Sequence, residues 1–124
     1  MRIPPALASA LFAALTMALT LGSPAAQAHA FLDHASPQAG GTVAAAPSEL
    51  TLWFTQNLEP AFSTVQVTAP SGERVDQGKP QISGNTMRVA IKAAGSGTYH
   101  VQWHALSVDT HTTQGSFIFR VGVK

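Results

Sequence analysis

The sequence predicts an all-β domain, a two-sheet sandwich or small barrel with Greek-key links, on three observations. Apolar and polar residues alternate with period 2 in successive segments from His29 onward, and Gly, Pro, Ser and Asn separate those segments at short intervals. No amphipathic stretch with helical spacing is long enough to compete. Closely spaced strands of this kind pack face to face, or close on themselves, so that each buries one side.

Met1–Ala28 stands apart from that pattern. Arg2 is followed by an apolar stretch from Ala6 to Leu21, then by Gly22 and Pro24, then by Ala26-Gln27-Ala28. A positive start, a short apolar region, a breaker and small residues make a secretory leader, with cleavage expected after Ala28. The apolar stretch is short of the ~20 residues that cross a bilayer, so a membrane anchor is the weaker reading. The expected division is therefore a leader at 1–28 and one domain at 29–124, with no membrane span in the mature chain.

Within the domain, strands are expected at Ala30–Ala35, Glu49–Thr55, Phe62–Ala69, Asn85–Lys92, Thr98–Leu106 and Ser116–Gly122. Tyr99, Val101, Trp103 and Ala105 alternate with His100, Gln102 and His104, so the first set should face the core. Leu50, Leu52 and Phe54 alternate with Thr51, Trp53 and Thr55; Phe117, Phe119 and Val121 alternate with Ile118 and Arg120. Ser36-Pro37 with Gly40-Gly41, Pro47-Ser48, Pro70-Ser71-Gly72, Ser83-Gly84-Asn85 and Gly95-Ser96-Gly97 supply the turns. The Ala- and Gly-rich stretch around Val43–Pro47 reads as loop. Met87 alternates with Val89 and Ile91 and is expected in the core.

Composition removes several functions. Seven basic residues stand against six acidic ones in 124, and none of the basic ones form a run, so nucleic acid is not an expected partner. Without Arg2 the 96-residue mature chain is formally neutral. With no Cys there is no disulfide, thiolate zinc site, iron–sulfur cluster or cysteine nucleophile. A metal would have to be held by His, carboxylate, Met or a terminal amine, and all five His lie in the mature part.

Two features suit a metal. Cleavage after Ala28 would make His29 the first residue, its α-amine beside its own imidazole. An α-amine near pKa 7.7–8.0 is accessible as a neutral donor around pH 7, and a metal would displace the remaining proton. The second feature is Ser107-Val108-Asp109-Thr110-His111: if extended, it points the Asp109 carboxylate and the His111 imidazole from one face. Three nitrogens and one oxygen suit tetragonal Cu(II); Zn(II) could use the same atoms tetrahedrally. His100 and His104, four residues apart on one strand, are ~13 Å apart and cannot share an ion. His34, after Asp33, is either a polar strand end or a donor near the first ion or for a second one.

With these residues in view, the sequence resembles the CopC family of exported copper-binding proteins. The resemblance rests on His29-Ala30, Leu32, Pro37, Gly40 and Pro47, and on W-x-x-x-S-x-D-x-H-x-x-x-G filled by Trp103, Ser107, Asp109, His111 and Gly115. It spans residues 29–124. It implies a cupredoxin-like β-sandwich, a periplasmic location and a non-enzymatic Cu(II) carrier or buffer for copper homeostasis or resistance. The implied ligands are the amine and imidazole of His29 with Asp109 and His111, and the implied partner is an inner-membrane copper protein of the CopD type. Some members add a Cu(I) site in a Met-rich loop, whereas Ala69–Pro80 here contains neither Met nor His.

Two other functions compete. A copper oxygenase of the lytic polysaccharide monooxygenase type also begins with His, but 96 residues and no evident flat aromatic array speak against it. A metal-free immunoglobulin-like assembly module would carry its His merely as surface residues.

Overall fold

The structure, a computed structural model, describes residues 31–122. Strands follow in chain order as β1 (Leu32–Ser36), β2 (Thr42–Val43), β3 (Glu49–Phe54), β4 (Thr64–Thr68), β5 (Asp76–Ser83), β6 (Thr86–Ile91), β7 (Gly97–Leu106) and β8 (Thr112–Val121). A single 3-10 turn, Pro60–Phe62, lies between β3 and β4. The first sheet has the order β1-β3-β6-β5 and the second β2-β8-β7-β4. Among the described residues only the short β2–β8 pairing is parallel; the chain crosses between sheets repeatedly, as the expected Greek-key sandwich requires.

The alternation read from the sequence sets the core. Leu50, Leu52 and Phe54 of β3 and Met87, Val89 and Ile91 of β6 face Val65 and Val67 of β4, Tyr99, Val101, Trp103 and Ala105 of β7, and Phe119 of β8; all are buried. Phe54 meets Trp103 edge-on with ring centroids 5.0 Å apart, an arrangement worth about 0.5–1.5 kcal/mol beyond the area buried. The buried Tyr99 keeps its hydroxyl satisfied by donating to the Gly95 carbonyl at 2.7 Å and accepting from the Ala94 N–H. Met87 is fully buried, as expected of a core methionine.

The strand assignment needs three corrections. β5 was not expected, because Asp76–Ser83 contains Gly78 and Pro80 and is mostly exposed. It is an outer strand whose register shifts between Gln77 and Gln81, where the missing Pro N–H is tolerated. β2 lies at the start of the stretch read as loop: two residues paired with Arg120 and Val121 carry too little sequence for a periodic signal. Finally, β8 begins at Thr112, not Ser116, because it pairs with β7 as far as Leu106 opposite Thr112. The expected leader, and Ala30 of the first expected strand, lie outside the described residues.

Candidate metal centre

Asp109 and His111 lie in the connection from β7 to β8, and their side chains meet: His111 Nδ1 is 3.3 Å from Asp109 Oδ1. They do not meet for the reason read from the sequence. The segment is a tight turn rather than an extended strand, with the Thr110 N–H donating to the Ser107 carbonyl at 2.8 Å and Thr110 at φ 72°. The left-handed backbone at Thr110 folds the chain back so that residues 109 and 111 converge, a conformation costly for a β-branched residue.

Ser107 organises the turn. It is fully buried, its N–H donates to the His111 carbonyl at 2.9 Å, and its hydroxyl donates to Asp109 Oδ1. The His111 N–H points at the same two oxygens, 3.3 Å from Ser107 Oγ and 3.4 Å from Asp109 Oδ1. The Ser107 hydrogen bond above all, opposed by partial desolvation and reinforced by the side chain and N–H of His111, holds the Asp109 carboxyl below the usual carboxylate range. The carboxylate is therefore charged throughout the neutral range and available to a cation, with both side chains accessible at 48% and 68% exposure. An oxygen and an imidazole nitrogen side by side fit a borderline divalent ion.

The connection after β3 braces this turn. The Asn57 carbonyl accepts from the Val108 N–H at 3.0 Å, Leu58 bridges to Ser107, and the Glu59 N–H donates to the Leu106 carbonyl. The same connection holds the start of the described chain: the Phe31 N–H donates to Thr55 Oγ1, and the Phe31 carbonyl accepts from the Thr55 N–H, both at 2.9 Å. Phe31 and the Asp109–His111 turn thus share one end of the sandwich. Sequence reasoning missed the bracing role of Thr55–Glu59, since a non-periodic connection carries no signal for it. It had Ser107 within a motif but without a role.

His29, the expected source of the two remaining donor atoms, lies outside the described residues. Among the described residues no three His, Cys, Asp or Glu side chains form a group able to hold a metal, so Asp109 and His111 stand as a pair. His100 and His104 point outward from β7, His100 between Thr68 and Ile118, His104 between Thr64 and Gln114. Shallow depressions of about 320 and 340 Å³ lie beside them, and neither includes Asp109 or His111. His34 lies on β1, paired with Asp33 and stacked on Trp53.

The model of the CopC domain matches residues 32–122 of this chain. The chain belongs to the CopC family. Over 114 residues it is 34% identical to protein YobA of Escherichia coli strain K12, covering 89% of this chain and 92% of that protein. Over 119 residues it is 37% identical to copper resistance protein C of Pseudomonas syringae pv. tomato, covering 89% and 94%. Its fold is similar to the crystal structure of PcoC, a methionine-rich copper resistance protein from Escherichia coli, with TM-score 0.65 and 34% identity over 76% of this chain and 99% of that one. The β-sandwich is thus that of the CopC family, the cupredoxin-like fold expected from the sequence. Unlike a methionine-rich relative, this CopC chain has Met87 as its one methionine beyond residue 17, and that residue is fully buried. Among the described residues no helix is long and apolar enough to cross a membrane.

Proposed function

We propose that this chain is a periplasmic Cu(II) carrier or buffer, without enzymatic activity, that serves copper homeostasis or resistance. Export removes residues 1–28, and the freed amine and imidazole of His29 join Asp109 and His111 around one Cu(II). The observation that carries this reading is the shared anchorage of Phe31 and the Asp109–His111 turn on the connection Thr55–Glu59. Two residues of extended chain reach about 7 Å, so an anchored Phe31 keeps His29 within range of that end. The relatives named for copper resistance support the choice of metal.

The donor set explains the oxidation state. Two nitrogens from one terminal residue, an imidazole and a carboxylate suit the tetragonal preference of Cu(II), whereas Cu(I) favours thiolate and thioether ligands that the described residues do not offer at their surface. Asp109 contributes a charge already present at neutral pH, so binding releases protons only from nitrogen donors. An inner-membrane copper protein of the CopD type, which the family resemblance implies, is the proposed donor or recipient.

The test is a Cu(II) titration of protein beginning at His29, followed by electron paramagnetic resonance, beside the variants Asp109→Asn and His111→Ala. The proposal expects one tight equivalent with nitrogen and oxygen donors, weakened at least tenfold in each variant while the fold is retained. Unchanged affinity in both variants would remove this pair from the site.

A further inference from the structure

We propose that Asp33 and His34 form a second, weaker divalent-metal site on the outer strand of the first sheet. Neighbouring residues on a regular strand point to opposite faces. Here they do not, because Leu32 is opposite Phe54 and His34 is opposite Trp53, leaving Asp33 as an extra residue in the ladder. Leu32 packs against the core and Ala35 is buried, while Asp33 and His34 both face out. Such a bulge re-aims a side chain at the expense of regular pairing. It brings His34 Nδ1 to 2.7 Å from Asp33 Oδ2.

Trp53 fixes the ring from its other side. The imidazole stacks on the indole with centroids 4.3 Å apart and planes 8° from parallel. The imidazole is therefore held by a carboxylate at its edge and an aromatic plate on its face, yet the His34 and Asp33 side chains remain 57% and 59% exposed. A contact this exposed contributes little to stability, so the arrangement is not explained by the fold's needs.

It is explained by ligand chemistry. Nitrogen and oxygen donors each about 2.0–2.2 Å from one metal and at right angles to each other lie about 2.8–3.1 Å apart, close to the separation seen. A turn of the carboxylate about its own side-chain bonds lets an ion take both donors in place of the proton they share. Alternatively Asp33 keeps the Nδ1 proton and orients Nε2 toward the ion, the carboxylate–histidine–metal pattern that raises ligand basicity. In both geometries His34 is the ligand and Trp53 the rigid wall. Asp33 and His34 do not combine with Asp109 and His111 into a larger donor group, so the site is separate and open to solvent. An ion held by so few protein donors exchanges readily, and Cu(II) gives the highest affinity of the first-row divalent ions for such nitrogen and oxygen donors.

The experiment is a Cu(II) titration of protein beginning at His29, carried past one equivalent and followed residue by residue in 1H–15N spectra. Paramagnetic broadening should reach the 107–111 turn first and then, with the second equivalent, Asp33, His34 and the Trp53 indole. His34→Phe, which keeps a ring on Trp53, should abolish the second step and leave the first; Asp33→Asn should weaken the second step about tenfold or more. The Asp109→Asn variant separates this claim from the first site, since it should lose the first step and keep the second. Broadening confined to His100 and His104 at the second equivalent, or a second step unchanged in His34→Phe, overturns the proposal, and the site-resolved signal in the unmodified protein decides it without any variant.

Discussion

The Trp103 indole occupies the space where Gly115 would carry a side chain: a Cβ built on Gly115 falls 2.6 Å from Trp103 Cζ2 and 2.9 Å from Cε2. The two residues face each other across the β7–β8 ladder. The two ends of the motif that runs from Trp103 through Asp109 and His111 to Gly115 are thus one packing unit, and the loop between them is clamped at its base.

Gly115→Ala should therefore act on the core before it acts on the loop. Overpacking a filled site costs about 1–3 kcal/mol, and a buried indole pushed off Phe54 loses an edge-on contact as well. Thermal denaturation should show a clear drop in midpoint, accompanied by a change in tryptophan emission. An unchanged midpoint and spectrum would mean that Trp103 moves aside freely.

Ser107→Ala is expected to disturb the metal pair without touching either ligand. The variant removes the hydroxyl that donates to Asp109 and receives the His111 N–H. The Asp109 carboxyl should then titrate closer to the ordinary carboxylate value, since its largest stabilising partner is gone. Carboxyl carbon shifts measured against pH report that rise directly, and Cu(II) affinity should fall about tenfold or more, as for other partners that orient ligands.

Acid stability should depend on Asp76. Burial opposes its ionisation, but a bidentate Arg74 guanidinium, at 3.0 and 2.6 Å, and the Val67 N–H at 2.9 Å outweigh it and hold the carboxyl below its usual range. A depressed native value stabilises the folded state fully above the unfolded value of about 3.9, and that contribution disappears as pH falls through the native value. Asp76→Asn should cost about 1–3 kcal/mol at neutral pH. In urea titrations the gap between parent and variant should narrow from about pH 5 downward; a gap independent of pH would contradict the assignment.

The sequence made the sandwich legible where one face of a strand is buried, because alternation in Glu49–Phe54, Thr86–Ile91 and Gly97–Leu106 is a direct imprint of the core. It concealed β5, whose Gly78 and Pro80 are tolerated only because an outer strand needs no second partner. At the site, residue types point to Asp109 and His111, but the condition of an extended backbone is not met, because the segment is a tight turn. Convergence comes from a positive φ at Thr110 and a buried Ser107, neither of which has a spacing that periodicity could reveal. The bulge that pairs Asp33 with His34 was equally hidden, since adjacent polar residues on a strand read as lying on opposite faces.

The most direct test of the proposed copper site compares protein beginning at His29 with protein carrying one extra residue before it. In the longer form the nitrogen of His29 is an amide, which is not basic, and the chelate between backbone nitrogen and imidazole is lost. Cu(II) titration with electron paramagnetic resonance should show a tight equivalent in the first protein, and a changed spectrum with affinity at least tenfold weaker in the second. Equal affinity with the same spectrum in both forms would show that the terminal amine is not a ligand and would contradict the account.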